Sequence, residues 1–164
     1  MIYHKPVLLT ESIEGLNIKP DGIYVDVTFG GGGHSKEILK NLKNGFLYGF
    51  DQDLDAEKNS IKSNNFKFIR SNFRYIKNFL RLEGVKKIDG LIADLGISSF
   101  QIDTPKRGFA HKHDSIIDMR MNVDSDFGAK DILNSYSEAE IARVFYDYGD
   151  IKQSRKIAKL IVKQ

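Results

Sequence analysis

The sequence predicts an α/β fold: a parallel sheet covered by helices on both faces. Two observations predict it. Short runs of β-branched and aromatic residues alternate with helical spacing in units of about thirty residues, the signature of right-handed strand–helix–strand crossovers. The first of these runs breaks into four consecutive glycines immediately before a helical pattern.

In chain order, Ile23-Tyr24-Val25-Asp26-Val27-Thr28-Phe29 reads as a strand entering the tight turn Gly30-Gly31-Gly32-Gly33. Ile38, Leu39 and Leu42 then repeat at helical spacing, and Gly45 stands where a left-handed helix cap is expected. Phe46-Leu47-Tyr48-Gly49-Phe50 is a second strand ending at Asp51, and a polar helical stretch runs from Leu54 to Ser63. Phe66 to Arg70 is a third strand. Asn72 is a capping residue for a helix that buries Ile76, Phe79 and Leu80. Ile88 to Ala93 is a fourth strand, ending at Asp94-Leu95-Gly96. Beyond Gln101 no strand pattern recurs, and the region reads as helical. Ser137-Glu138-Ala139-Glu140 is a capping box, with Ile141, Val144, Phe145 and Tyr148 behind it and Gly149 as a stop. Ile157, Leu160 and Ile161 mark one face of a last helix.

Composition narrows the class. With 164 residues and 41% apolar content the chain can bury one ordinary core. Cysteine is absent, which excludes disulfides and thiolate metal sites. The start Met1-Ile2-Tyr3-His4-Lys5-Pro6 lacks the layout of a secretory signal, and no apolar run approaches the roughly 20 residues that span a bilayer, so a soluble cytoplasmic protein without membrane contact is expected. Net charge is only +3, but its distribution is uneven. Lys152, Arg155, Lys156, Lys159 and Lys163 lie in a stretch without acids, leaving residues 1–150 with 20 bases against 22 acids. That stretch reads either as a solvated helix face, the commoner case, or as an RNA-facing surface.

In an open parallel sheet, ligands bind beyond the carboxyl ends of the strands. Here those ends carry Gly30 to His34, Asp51, and Asp94 to Ser99. Glycines let a ligand lie against bare peptide, and the following helix N-terminus favours an anionic group. As a dinucleotide fingerprint the match is incomplete, because Ser35 stands in place of the third glycine. Asp51 suits the two hydroxyls of a ribose, or else the macrodipole of the following helix; Asp53 reads as that helix's cap. An adenosine is common to dinucleotides and S-adenosylmethionine, so Asp51 does not choose between them. Asp94 ends an apolar strand, where a charge is costly unless it meets a partner or ligand. His4, His111 and His113 show no metal-ligand spacing, and no metal site is expected.

Four segments resemble a known family, the bacterial small-subunit ribosomal RNA methyltransferase H enzymes, which act on the N4 amine of a cytidine in the decoding region. They are His4 to Glu11; Asp26 to Ser35; Asp89 to Gln101; and Arg107-Gly108-Phe109 with Asp118-Met119-Arg120-Met121. The likeness runs nearly end to end. It implies a Rossmann-like class I methyltransferase fold, α/β, with strand order 3-2-1-4 present, later strands missing, and a helical insertion. It divides the chain into an incomplete cofactor-binding core, 1–101, and a truncated substrate-recognition region, 102–164, the amino-terminal portion of a protein about twice as long. The implied cofactor is S-adenosyl-L-methionine, contacted by Gly32, Gly33, His34, Asp51, Phe73, Asp94 and Gln101. The glycines and His34 hold the methionine end and Asp51 the ribose. Phe73 faces the adenine, although a core aromatic is its plain alternative. Asp94 and Gln101 close the pocket. Asp94 is also the candidate catalytic residue, as acceptor for a proton of the cytosine amine, with a carbonyl of the Leu95-Gly96 turn as the alternative.

The implied partner is small-subunit ribosomal RNA within the small ribosomal subunit, and a homodimer stays open. Lys106, Arg107, Lys112 and Arg120 offer a phosphate-contacting surface, with solvated loop charges as the alternative. In two places the chain departs from related patterns. Leu95-Gly96-Ile97 follows Asp94 where other amino-methyltransferases carry two prolines and an aromatic residue. Ser115-Ile116 stands where the family shows Gly-Pro. Competing with the enzyme are a non-catalytic cofactor- or RNA-binding module and, against the evidence of Ser35, a nucleotide-dependent oxidoreductase.

Overall fold

The computed structural model describes residues 6–163, so the His4-Lys5 pair of the first family segment lies outside the described residues. The chain divides into two compact units, Met1–Ser98 and Ser99–Gln164.

In the first unit, β1 (Ile23–Asp26), β2 (Phe46–Asp51), β3 (Phe66–Arg70) and β4 (Gly90–Ile92) form one sheet in the order β3-β2-β1-β4. Every pairing is parallel: Ile23 stands opposite Phe46, Tyr24 opposite Gly90, and Leu47 opposite Phe66. The helices are α1 (Leu9–Leu16), α2 (Gly33–Asn41), α3 (Leu54–Glu57) and α4 (Ile76–Leu82). The two-residue period of the strands sorts side chains between two cores. Tyr24, Leu47 and Phe66 join Ile38 and Leu42, with Ile13 and Leu16 of α1 packed against them. On the other face Val25, Tyr48, Phe50 and Ile69 meet Leu80, with Ile76 and Phe79 of α4 beside it. The doubly covered parallel sheet is therefore as expected, in the strand order the resemblance implies.

The differences are local and have physical causes. β1 ends at Asp26, because Phe29 begins the glycine turn; beyond it the N–H groups of Val27 and Phe29 still donate to the carbonyls of Ile92 and Phe50. Gly45 does not cap a helix in the left-handed region. A Cβ there would overlap the Gly22 carbonyl, and the close approach of these two segments is what requires glycine. The helix expected over Leu54 to Ser63 stops at Glu57, with Asp53 as its cap through a bond from the Asp55 N–H (3.0 Å). Asn72 accepts from the Arg74 N–H (2.9 Å) and opens a short 3₁₀ turn, Phe73–Tyr75, ahead of α4.

The second unit holds α5 (Ser99–Asp103), α6 (Ala129–Ser135), α7 (Glu138–Gly149) and α8 (Ser154–Val162). Ile141 and Ala142 of α7 pack with Ala158 of α8. The Ser137–Glu140 capping box forms, the Ser137 N–H donating to Glu140 Oε2 (2.8 Å). The left-handed residue that ends α7 is Asp150 (φ 50°), one position after the expected Gly149. Between α5 and α6 the chain is mostly irregular rather than helical, apart from a 3₁₀ turn at Pro105–Arg107. No helix among the described residues is long and apolar enough to cross a membrane.

Two glycines test the packing of the first unit. A Cβ on Gly49 would lie 2.9 Å from the Phe29 ring and 3.0 Å from that of Phe66, so Gly49→Ala is expected to destabilise the chain by about 1–3 kcal/mol. Gly15, inside α1, has nothing within 4 Å of its Cβ position, and Gly15→Ala is expected to add roughly 0.5–1 kcal/mol. Urea denaturation midpoints should move in opposite directions.

Candidate functional site

The carboxyl ends of β1 and β2 each finish in an aspartate, and both carboxylates hold the glycine turn. Asp26 is 1% exposed. One of its oxygens accepts the Ser35 hydroxyl (2.7 Å) and the other the Thr28 N–H (3.1 Å). Burial pushes its carboxyl above the ordinary value of 3.8, and those two hydrogen bonds oppose the rise. Asp51 Oδ2 accepts the Gly30 N–H (2.8 Å) and Oδ1 the Asp53 N–H (2.9 Å). Its carboxyl is also raised, chiefly by burial. Asn59 Nδ2 donates to the Gly30 carbonyl (3.0 Å), so this peptide is gripped from both sides. Gly30 and Gly32 adopt φ of 49° and 72°, conformations that suit a residue without Cβ. Gly32 caps α2, and His34 and Ser35 in the first turn of that helix are buried.

A cavity of about 190 Å³ opens beside this turn, lined by Val7, Leu8, Ser12, His34, Ile92, Ala93 and Asp94. At about 30 Å³ per water it holds about six, the space of an amino-acid-sized group. His34 Nε2 is buried with no hydrogen-bond partner among the described residues. An unsatisfied buried nitrogen is costly, and a polar ligand group would relieve it. Leu8, which also lines the cavity, is held at φ 51°, a strained conformation for leucine.

The remaining expected residues are placed less uniformly. Asp94 is exposed beyond the end of β4, so the argument from a charge on an apolar strand does not hold; it is fixed instead through its backbone, whose N–H donates to Thr28 Oγ1 (2.7 Å). Phe73 is 43% exposed rather than a core aromatic, because the 3₁₀ turn that Asn72 starts carries it outward. Gln101 belongs to the second unit, where its Nε2 lies 3.4 Å from the Met121 sulfur. Gly32, Gly33, His34, Asp51 and Asp94 thus share the carboxyl edge of one sheet, and Gln101 has no counterpart there. Sequence reading missed Asp26, Thr28, Ser35 and Asn59 as organisers of the turn. The readable signal was a polar pair, Asp26 and Ser35, bracketing the glycines.

Of the basic surface expected in the second unit, Lys106 is exposed without an ion pair among the described residues, and the other three are buried or paired. Arg107 is 3% exposed and its Nη2 donates to the Arg120 carbonyl (2.8 Å). Arg120 is paired with Asp118 at 2.7 Å, and Lys112 with Asp103 at 2.9 Å. These charges organise the loop after α5.

A glycine-rich turn, a carboxylate bonded to it and an exposed aromatic ring lie at the carboxyl ends of the strands of a parallel-sheet α/β protein. The MraW methylase family matches residues 1–164, and the chain belongs to it; the fold is that of class I methyltransferases. Proteins called ribosomal RNA small subunit methyltransferase H are similar: that of Cytophaga hutchinsonii is 57% identical over 165 residues, covering 99% of this chain and 55% of its own. That of Phocaeicola vulgatus is 55% identical over 163 residues, covering 99% and 54%. The corresponding protein of Bacteroides thetaiotaomicron is 54% identical over 164 residues, covering 99% and 54%. The chain spans about half the length of the curated relatives it matches.

The raised carboxyls give a pH test. A carboxyl raised on folding makes the native state bind more protons than the unfolded chain, so stability falls as pH rises from about 4 through the raised value and is then level. Asp26→Asn keeps a hydrogen-bonding partner for both Ser35 and Thr28 without the charge. Its urea stability should therefore fall less steeply than that of the native protein over this range.

Proposed function

We propose that this chain is the cofactor-binding portion of an S-adenosylmethionine-dependent methyltransferase that modifies the N4 amine of a cytidine in small-subunit ribosomal RNA, a cytoplasmic substrate. The observation that carries the reading is the Asp51 carboxylate bonded to the glycine turn at the edge of the sheet, in a chain of the MraW methylase family. The names of the relatives support the choice of ribosomal RNA.

The residues fit an adenosyl sulfonium amino acid. The buried, unpartnered His34 Nε2 and the 190 Å³ cavity suit the polar amino-acid end, with Gly32 and Gly33 offering bare peptide beside them. Asp51 uses one bond on each oxygen for the backbone and keeps lone pairs for ribose hydroxyls. Phe73 leaves a ring face open for adenine. When bound, the cofactor supplies a methyl group open to in-line displacement by an amine, a reaction accelerated mainly by positioning. Asp94, tethered to Thr28, is the residue to accept a proton from that amine. The target base has to leave its stack to reach this edge, which favours an unpaired or flipped nucleotide.

Calorimetric titration of S-adenosylmethionine against a nicotinamide dinucleotide tests the cofactor assignment, and transfer of a labelled methyl to small ribosomal subunits tests the reaction. Asp51→Ala should weaken cofactor binding by roughly tenfold or more, as a lost charged hydrogen bond requires. Phe73→Ala should cost about 1–3 kcal/mol of binding, the value of base stacking on an aromatic ring. Asp94→Asn should retain the cofactor yet slow transfer by about 10²–10⁴-fold, and transfer at the native rate would remove Asp94 from proton chemistry.

A further inference from the structure

We infer that one face of α8 is a phosphate-contacting surface for the RNA partner. Arg155, Lys156, Lys159 and Lys163 are all exposed, and at 3.6 residues per turn they fall within an arc of about 100° along about 12 Å of helix. The opposite side of α8 is occupied: Ser154 and Ala158 are buried, and Ile161 packs into the core shared with α7.

The charges on this face stand without a compensating acid on the same helix. Two other helices each pair a cation internally, Lys40 with Glu37 on α2 and Arg143 with Asp147 on α7. On α8 none of the four has an ion pair among the described residues, and no acid occurs from Ile151 onward. Arg155 and Lys159, and again Lys159 and Lys163, are like charges four apart, which repel on a helix. Arg155 and Lys156 also sit in the first turn, where the helix dipole disfavours cations. A sequence that places four cations in mutual repulsion leaves them available for an external polyanion. Arg107, Lys112 and Arg120 after α5 are not available in this way, being buried or paired. A membrane is a poorer fit, because Ala158 and Ile161 on the side of α8 away from the cations are packed on α7.

The choice of RNA as the polyanion rests on the methyl-transfer reading above; the test reads binding without catalysis, so the two can fail separately. Affinity of the whole chain for a labelled single-stranded RNA is measured by fluorescence anisotropy across a potassium chloride series. Each phosphate contact contributes about 0.7 to the slope of log affinity against log salt. The fourfold variant R155Q/K156Q/K159Q/K163Q should bind at least about tenfold more weakly, with a slope shallower by about 2 to 3. The paired control K112Q/R143Q should behave as the native chain. The milder K156Q/K163Q, with about half the slope change, answers the question if the fourfold variant misfolds by circular dichroism. An unchanged slope in a folded α8 variant overturns the proposal, as does native-chain sedimentation with phosphatidylserine vesicles that the variant loses while RNA binding is retained. RNA binding lost with α8 in a chain that binds no S-adenosylmethionine leaves the surface standing and removes the methyl-transfer reading.

Discussion

A carboxylate with almost no solvent contact, Asp26, holds the top of the sheet together. Burial of such a group is unfavourable unless its oxygens are satisfied, and here they are satisfied by the two segments whose positions matter most. Ser35 Oγ ties it to the first turn of α2, and the Thr28 N–H ties it to the entry of the glycine turn. Thr28 then uses its own hydroxyl to accept the Asp94 N–H, joining the end of β1 to the exit of β4. Two of the sheet's four strands and one helix are therefore referenced to a single buried side chain.

The second aspartate, Asp51, braces the turn through its carboxylate and, in the proposed function, keeps lone pairs for a ligand. Its bond from the Gly30 N–H and the Asn59 amide on the Gly30 carbonyl hold Gly30 in a left-handed conformation, while its other oxygen accepts the Asp53 N–H. Phe29 backs the turn from below, where Gly32 and Gly49 make room for its ring. A preorganised loop of this kind spends its ordering entropy during folding rather than on binding. The His34 Nε2 is the complementary case, a buried polar atom beside the cavity without a hydrogen-bond partner among the described residues.

In the second unit, charge is used in two ways. Around the irregular segment after α5, where few backbone groups meet one another, Arg107 and Arg120 bond carbonyls and carboxylates and so replace regular secondary structure as the organising element. On α8 the backbone is already satisfied by the helix, and its cations face outward. The same residue types thus serve as internal braces or as free charge, according to whether local backbone needs donors.

Periodicity and turn chemistry were legible from the residues alone. β3 runs from Phe66 to Arg70 as its alternation predicts, the Ser137 capping box closes, Asp53 and Asn72 cap the elements they precede, and the sheet is parallel. These features depend on neighbours within a few positions, so the local sequence determines them, and four motif segments in order carried the family. What tertiary structure decided depends on residues far apart in the chain. Asn59 leaves helical service to grip Gly30, 29 positions away. Gly45 is required by Gly22 across a strand gap, Phe73 is turned outward, and Arg107 is drawn inward to a carbonyl 13 positions on. Asp94 is held by Thr28 across 66 residues while its carboxylate stays exposed. Burial and partnership are properties of the packed chain, and no periodicity within a single segment encodes which distant group will fill a given bond.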